Sequence, residues 1–248
     1  MPRISDFSEQ MFLALVALVA LAFVIGVWRA GKPRESSRTS LRWAGVAIVV
    51  IAVWLGASAL AAETGILREF NRRPPPFLVF LSVFVIATAA VALSPIGGRL
   101  VNGTDIRWLA GFQAFRIPVE YLLHRLYQEG AVPAQMTYAG MNFDILSGAL
   151  ALAIFIWGTI GKPPRWAILG FNLVGLALLI NIVTIAILSA PTPLRKFFNE
   201  PANTFVTYVP FCGYRLFWYK PLGSAICWSS GGCANSANLC DGINVSRA

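Results

Sequence analysis

Charge is scarce in this chain. Only 12% of its 248 residues are Asp, Glu, Lys or Arg, roughly half the quarter usual in soluble domains, which excludes an ordinary water-soluble enzyme and an intrinsically disordered chain. Histidine occurs once, as His124, and no cysteine precedes Cys212. A zinc or haem site is therefore not expected, and no cofactor or metal is assigned. HExxH, Walker, GxSxG and Rossmann patterns are all missing, so no residue is named as catalytic. Acid is scarcer than base, 11 residues against 20 for a net charge of +9. No basic stripe with interleaved aromatics accompanies that excess, which argues against a nucleic-acid partner.

What fills the chain instead is apolar: 57% of its residues, with a mean hydropathy of +0.66. These residues are gathered into runs of about twenty, the length a helix needs to cross roughly 30 Å of hydrocarbon. The clear runs are 11–28, 43–62, 77–93, 143–160 and 166–188. Trp28, Trp43, Trp108 and Trp166 lie at or near their ends, where amphipathic rings favour the headgroup level. The first run is longer than a signal-peptide core, and no small-x-small cleavage site follows Arg29, so it reads as a retained anchor. A sixth segment, 108–127, is long enough to cross but carries Arg116, Glu120, His124 and Arg125. The expected fold is an all-α polytopic transmembrane bundle of six helices, with the lipid bilayer as its partner.

Basic residues orient it. If 108–127 crosses, the loops 29–42, 94–107 and 161–165 share one side and carry nine Lys and Arg, against six opposite. Arg29, Lys32, Arg34, Arg38 and Arg42 crowd one of those loops, as expected beside anionic headgroups at a cytoplasmic face. The N-terminus and the 128–142 loop are then outside.

After Phe211 the composition changes. All four cysteines (Cys212, Cys227, Cys233 and Cys240) fall here among small polar residues, at spacings that match no CxxC motif. The even number leaves an extracytoplasmic disulfide pair open. The preferred reading is a shifted frame: codons for residues 211–221 read one nucleotide earlier give an apolar run, which would supply a seventh helix. The chain thus divides into a bundle, 1–211, and an atypical tail, 212–248.

One polar constellation stands inside the apolar chain. At 100° per residue, Gln113, Arg116, Glu120 and His124 fall within an arc of about 80°. Arg116 and Glu120 stand at i,i+4, as do Glu120 and His124, so the carboxylate can reach either neighbour, and an Arg116–Glu120 pair is expected. Pro118 would kink a continuous helix here and free the carbonyl of Ala114. A charge at mid-bilayer costs roughly 2.5–3.5 kcal/mol on insertion scales, so these groups should face protein or water. Asn142, Asp144, Asn172, Asn181 and Thr184 could face the same cavity, although each alone suits a cap or an interhelical hydrogen bond. Asp144 also suits the dipole at a helix N-terminus. Three readings of the arc stay open: a satisfied network that sets helix register, a proton- or ligand-handling site, or a segment lying along the interface.

The wording of two stretches resembles a group of uncharacterised bacterial multi-pass integral membrane proteins. These are Phe112-Gln113-Ala114-Phe115-Arg116-Ile117-Pro118-Val119-Glu120 and Asn142-Phe143-Asp144-Ile145-Leu146, followed by Phe198-Asn199-Glu200-Pro201-Ala202-Asn203. The resemblance covers about residues 40–211. It implies a bacterial inner membrane and a further apolar helix at the end, and it carries no activity. The function expected from the residues is non-enzymatic: binding or moving a proton, or a small solute whose identity is not legible, through the arc. The alternatives are a membrane-embedded enzyme using Glu120 and His124 as acid and base, or a structural accessory subunit.

Overall fold

The computed structural model describes residues 4–31, 36–208 and 211. Lys32 and Arg34 of the basic loop, and the cysteine tail with its frame-shift and disulfide readings, lie outside them. Among the described residues there are eight α-helices and no strand: α1 (Asp6–Gly31), α2 (Ser37–Glu63), α3 (Pro76–Leu93), α4 (Pro95–Gly103), α5 (Ile106–Phe112), α6 (Arg116–Gln128), α7 (Asp144–Ile160) and α8 (Arg165–Ser189). The local chemistry marks the starts. Ser36 accepts from the Thr39 amide at α2, Ser94 from Ile96 at α4 and Asp105 from Arg107 at α5, each satisfying an amide that the helix leaves orphaned. Pro76 and Pro95 stand in the first turns of α3 and α4, where no amide is needed.

Four helices, α1, α2, α3 and α8, are long and apolar enough to cross a membrane. They are apolar all round rather than on one stripe: α8 exposes Trp166, Leu169, Leu173, Leu176, Leu179 and Ile180. A helix of that kind must be buried in something other than water.

The segment 108–127 is not one helix kinked at Pro118. It is broken one turn earlier, where Gln113–Phe115 tightens to a 3-10 turn between α5 and α6. An unbroken α-helix would need the amide of residue 118 to donate to Ala114, and proline has none. Ending α5 before that point places Pro118 in the first turn of α6, where its missing amide is no loss.

Contacts nevertheless show that α5 and α6 together run the length of the bundle. At one end, Gly103 packs on the Ala30 backbone and the Arg99 guanidinium lies 4.7 Å over Trp43. At the other, Glu129 accepts hydrogen bonds from the Ser5 amide (3.0 Å), the Ser5 hydroxyl (2.6 Å) and the Ser8 hydroxyl (2.7 Å) at the start of α1. The chain from Gly103 to Glu129 therefore travels alongside α1, which at 1.5 Å per residue is about 39 Å long. Helix α7 returns antiparallel, with Gly111 against Phe155 and Gly158 against Arg107.

Burial alone would raise the Glu129 carboxyl, but the hydrogen bonds from Ser5 and Ser8, with Arg125 nearby, hold it below its ordinary value of 4.5. A depressed folded pKa means a contribution fully present above the unfolded value and lost as pH falls through the folded one. The start of α1 should therefore loosen as pH falls below about 4.5. Hydrogen exchange over residues 5–12 is expected to rise in that window, and Glu129→Gln should remove the step.

Between α6 and α7, residues 129–143 do not form an exposed loop. Ala131, Val132 and Met136 are buried in a cluster with Leu122, Leu126, Ile185 and Phe205, and Gln135 and Thr137 are buried as well. Backbone groups in this segment are paired locally: the Ala131 amide donates to Leu126 (2.8 Å), Thr137 to Ala134 (3.1 Å) and Gly140 to Thr137 (2.9 Å). Irregular backbone is tolerated inside a bundle on that condition. Of the expected outer loop, Gly130, with φ of 69°, stays exposed at one end and Tyr138, Ala139 and Met141 toward the other.

Candidate functional site

The buried loop sets the register across the α6–α7 hairpin, and with it the polar pairs. Arg116 Nη1 donates to Asp144 Oδ1, and its Nε donates to Gln113 Oε1 at 3.3 Å. Ser147 donates to the same Asp144 oxygen at 2.7 Å. The Arg116 and Asp144 side chains are only 14% and 13% exposed. The expected Arg116–Glu120 pair is thus replaced by a pair between helices. A carboxylate on α7, already favoured at a helix N-terminus, offers the guanidinium a partner without bending its own helix.

Glu120 has a different partner. It is 1% exposed, and its Oε1 accepts from Asn142 Nδ2. Asn142 also donates to the Met136 carbonyl (3.0 Å), and its Oδ1 accepts from the Asp144 amide (3.1 Å). One fully buried asparagine therefore fastens the loop, the start of α7 and the carboxyl of Glu120. The second carboxyl oxygen of Glu120, Oε2, is buried without a hydrogen-bond partner among the described residues.

His124 does not join Glu120. Its Nε2 lies 3.2 Å from Gln128 Nε2, and its ring stacks on Tyr138 with centroids 4.5 Å apart. Its Nδ1, like Glu120 Oε2, is buried and unpartnered among the described residues. The two open atoms belong to residues one turn apart on α6, with His124 nearer the end that holds Glu129.

Of the other candidates, Asn181 ties α8 to the loop by donating to the Met141 carbonyl (2.9 Å). Asn172 and Thr184 donate to carbonyls of their own helix, Ile168 and Ile180, as such side chains do on exposed helical faces, and they take no part. Sequence reasoning missed Ser147, although it follows Asp144 at i+3 beside Gly148. It also missed Gln135, which donates to Ser189 (3.0 Å) and accepts from Asn199 (3.1 Å). Nothing in a loop of small and polar residues singles Gln135 out.

The site holds two kinds of group. Arg116, Asp144, Gln113 and Ser147 form a mutually paired cluster. Glu120 and His124 each keep one open hydrogen-bonding atom. No group of three or more His, Cys, Asp or Glu that could hold a metal occurs among the described residues.

A family model described as "Domain of unknown function (DUF8737)" matches residues 74–213, more than half of the chain. The match includes Gln113, Arg116, Glu120, His124, Asn142 and Asp144, whereas α1 and α2 precede it. No curated protein and no solved structure matches.

Proposed function

The chain belongs to the DUF8737 family, and on that premise we propose a multi-pass protein of a bacterial cytoplasmic membrane that binds and passes a proton at Glu120. One observation carries the reading: a fully buried carboxyl with a single partnered oxygen. A network serving only to fix register would satisfy both oxygens, because an unpaired buried acceptor costs about 1–3 kcal/mol. Intramembrane acids left open in this way mark pathways.

His124 Nδ1 is the matching open atom on the next turn of α6, toward the Glu129 end. On the other side Arg116 is paired with Asp144, and the two charges compensate each other. An acid/base enzyme is less well supported, because among the described residues no hydrogen bond joins His124 to Glu120. Membrane embedding is supported by the four long apolar helices and by α5–α6 running alongside α1. The excess of Lys and Arg supports an outside N-terminus.

Proteoliposomes with an entrapped pH dye test this. Under an imposed potential the protein should carry protons above the protein-free rate. Glu120→Gln, isosteric but unable to ionise, should reduce that flux about a hundredfold or more, the scale of a general acid/base loss. Glu69→Gln, in the exposed α2–α3 connection, should leave it unchanged. Vesicle orientation is read by a cysteine placed at Gly130, labelled from outside in cells, against one at Ser37, not labelled. Flux that is equal in wild type and Glu120→Gln, or no greater than in empty vesicles, would overturn the reading.

A further inference from the structure

Asn142 is fully buried, two residues before the start of α7. Its side chain makes three hydrogen bonds: Nδ2 donates to Glu120 Oε1 and to the Met136 carbonyl, and Oδ1 accepts from the Asp144 amide. The last is the turn an asparagine commonly closes on its own backbone two residues on. These partners fix which way the amide points. Turned over, Oδ1 would meet the Met136 carbonyl and the NH2 group would meet the Asp144 N–H. No proton on Glu120 relieves either clash.

Asn142 therefore presents only a donor to Glu120. Oε1 must accept whether the carboxyl is ionised or not, because a proton on Oε1 would point at another proton. The terminal torsion of a glutamate is otherwise broad and two-fold, so its two oxygens would trade places. Held at Oε1, they keep their identities. Oε2, which has no partner among the described residues, is the oxygen left to carry a proton.

We propose that Asn142 is a positioning residue for proton transfer at Glu120: it keeps Oε1 as the carbonyl oxygen and confines the proton to Oε2. On arrival the proton forms an O–H bond at Oε2 and neutralises the carboxylate. On departure that bond breaks and its electron pair stays on Oε2, while the Asn142 bond to Oε1 persists throughout. Capping α7 would need Oδ1 alone, and an aspartate would serve. The two donors are what an asparagine adds. Through Oδ1 the same side chain is tied to Asp144, whose carboxylate pairs with Arg116, so the Glu120 carboxyl is located against α7 and not only by its own helix. This role rests on Glu120 carrying a proton, and it names the oxygen that does so.

The test is infrared difference spectroscopy between acid and alkaline pH on the full-length protein in phosphatidylcholine vesicles, with proton flux measured on the same vesicles. The carbonyl band of protonated Glu120 is the one lost in Glu120→Gln. In wild type it should lie at the low frequency of a carbonyl that accepts a hydrogen bond. Asn142→Leu should shift it upward, to the position of an unbonded acid, and lower the flux about tenfold, as the loss of one hydrogen bond to a carboxyl does. Asn172→Leu, at an asparagine that bonds its own helix, should change neither. The wild-type band decides the matter even if Asn142→Leu does not fold. A wild-type band at the unbonded position, a band that Asn142→Leu leaves in place, or a shifted band with undiminished flux would overturn the role of Asn142, while the flux loss in Glu120→Gln stands. If Glu120→Gln removes no carbonyl band at any pH, Glu120 carries no proton and both readings fall.

Discussion

Replacing Asp144 by Ala is expected to cost about 3–5 kcal/mol, the usual loss on breaking one side of a buried ion pair. The guanidinium of Arg116 would keep Gln113 and lose the one ion-pair partner it has among the described residues. Arginine cannot escape by shedding its proton, because its pKa is far above any working pH. Ser147, whose hydroxyl bonds the same carboxylate, would lose an acceptor too. Removing both charges, in Arg116→Met with Asp144→Leu, should cost much less, because no orphan remains. The measurement is a double-mutant cycle on unfolding in mixed detergent micelles. A coupling of about 2 kcal/mol or more between Arg116 and Asp144 is expected. Coupling that appears between Arg116 and Glu120 instead would restore the pairing within one helix that the sequence alone suggests.

That contrast shows where the sequence is legible and where it is not. The long helices can be read directly because an apolar run of about twenty residues has few alternatives to a membrane span. The polar arc is legible in its members but not in its partners. Positions 113, 116, 120 and 124 share a face under any helical register, yet which carboxylate meets Arg116 depends on how α7 docks. Docking depends on residues 129–143, which read as part of an outer loop because they fall between two runs long enough to cross. Their burial follows from Ala131, Val132 and Met136 packing under α6, a tertiary fact with no periodic signal. The break before Pro118 was half legible: the missing amide marks the place, but a kink and a short 3-10 turn both satisfy it. Asn172 and Asn181 look equivalent on the page. Only the geometry shows that one faces its own helix and the other reaches the loop.

Gly148→Leu should be nearly as damaging as the loss of Asp144, and by a different route. Helix α7 seats on α5 and α6 through Ser147, Gly148, Ala151 and Ile154, its buried face, and small residues there allow close approach where no water is squeezed out to drive packing. A Cβ at Gly148 would stand 2.7 Å from Ile117 Cγ1 and 3.1 Å from the Ile117 backbone nitrogen. The side chain could rotate away, but the backbone nitrogen could not. Ala should cost about 1–3 kcal/mol, the usual range for overpacking, and Leu more than Ala. Pushing α7 outward also draws Asp144, one turn away, from Arg116, and Asn142 from Glu120, so the Arg116–Asp144 coupling should fall in the Gly148→Leu background. Gly170, on the exposed face of α8 with nothing within 4 Å of a Cβ, is the control. There Leu should be neutral or stabilising, because leucine is about 0.5–1 kcal/mol better than glycine in a helix. Equal tolerance at 148 and 170 would mean that α7 does not rest on Ile117, and the register that brings Asp144 to Arg116 would need another cause.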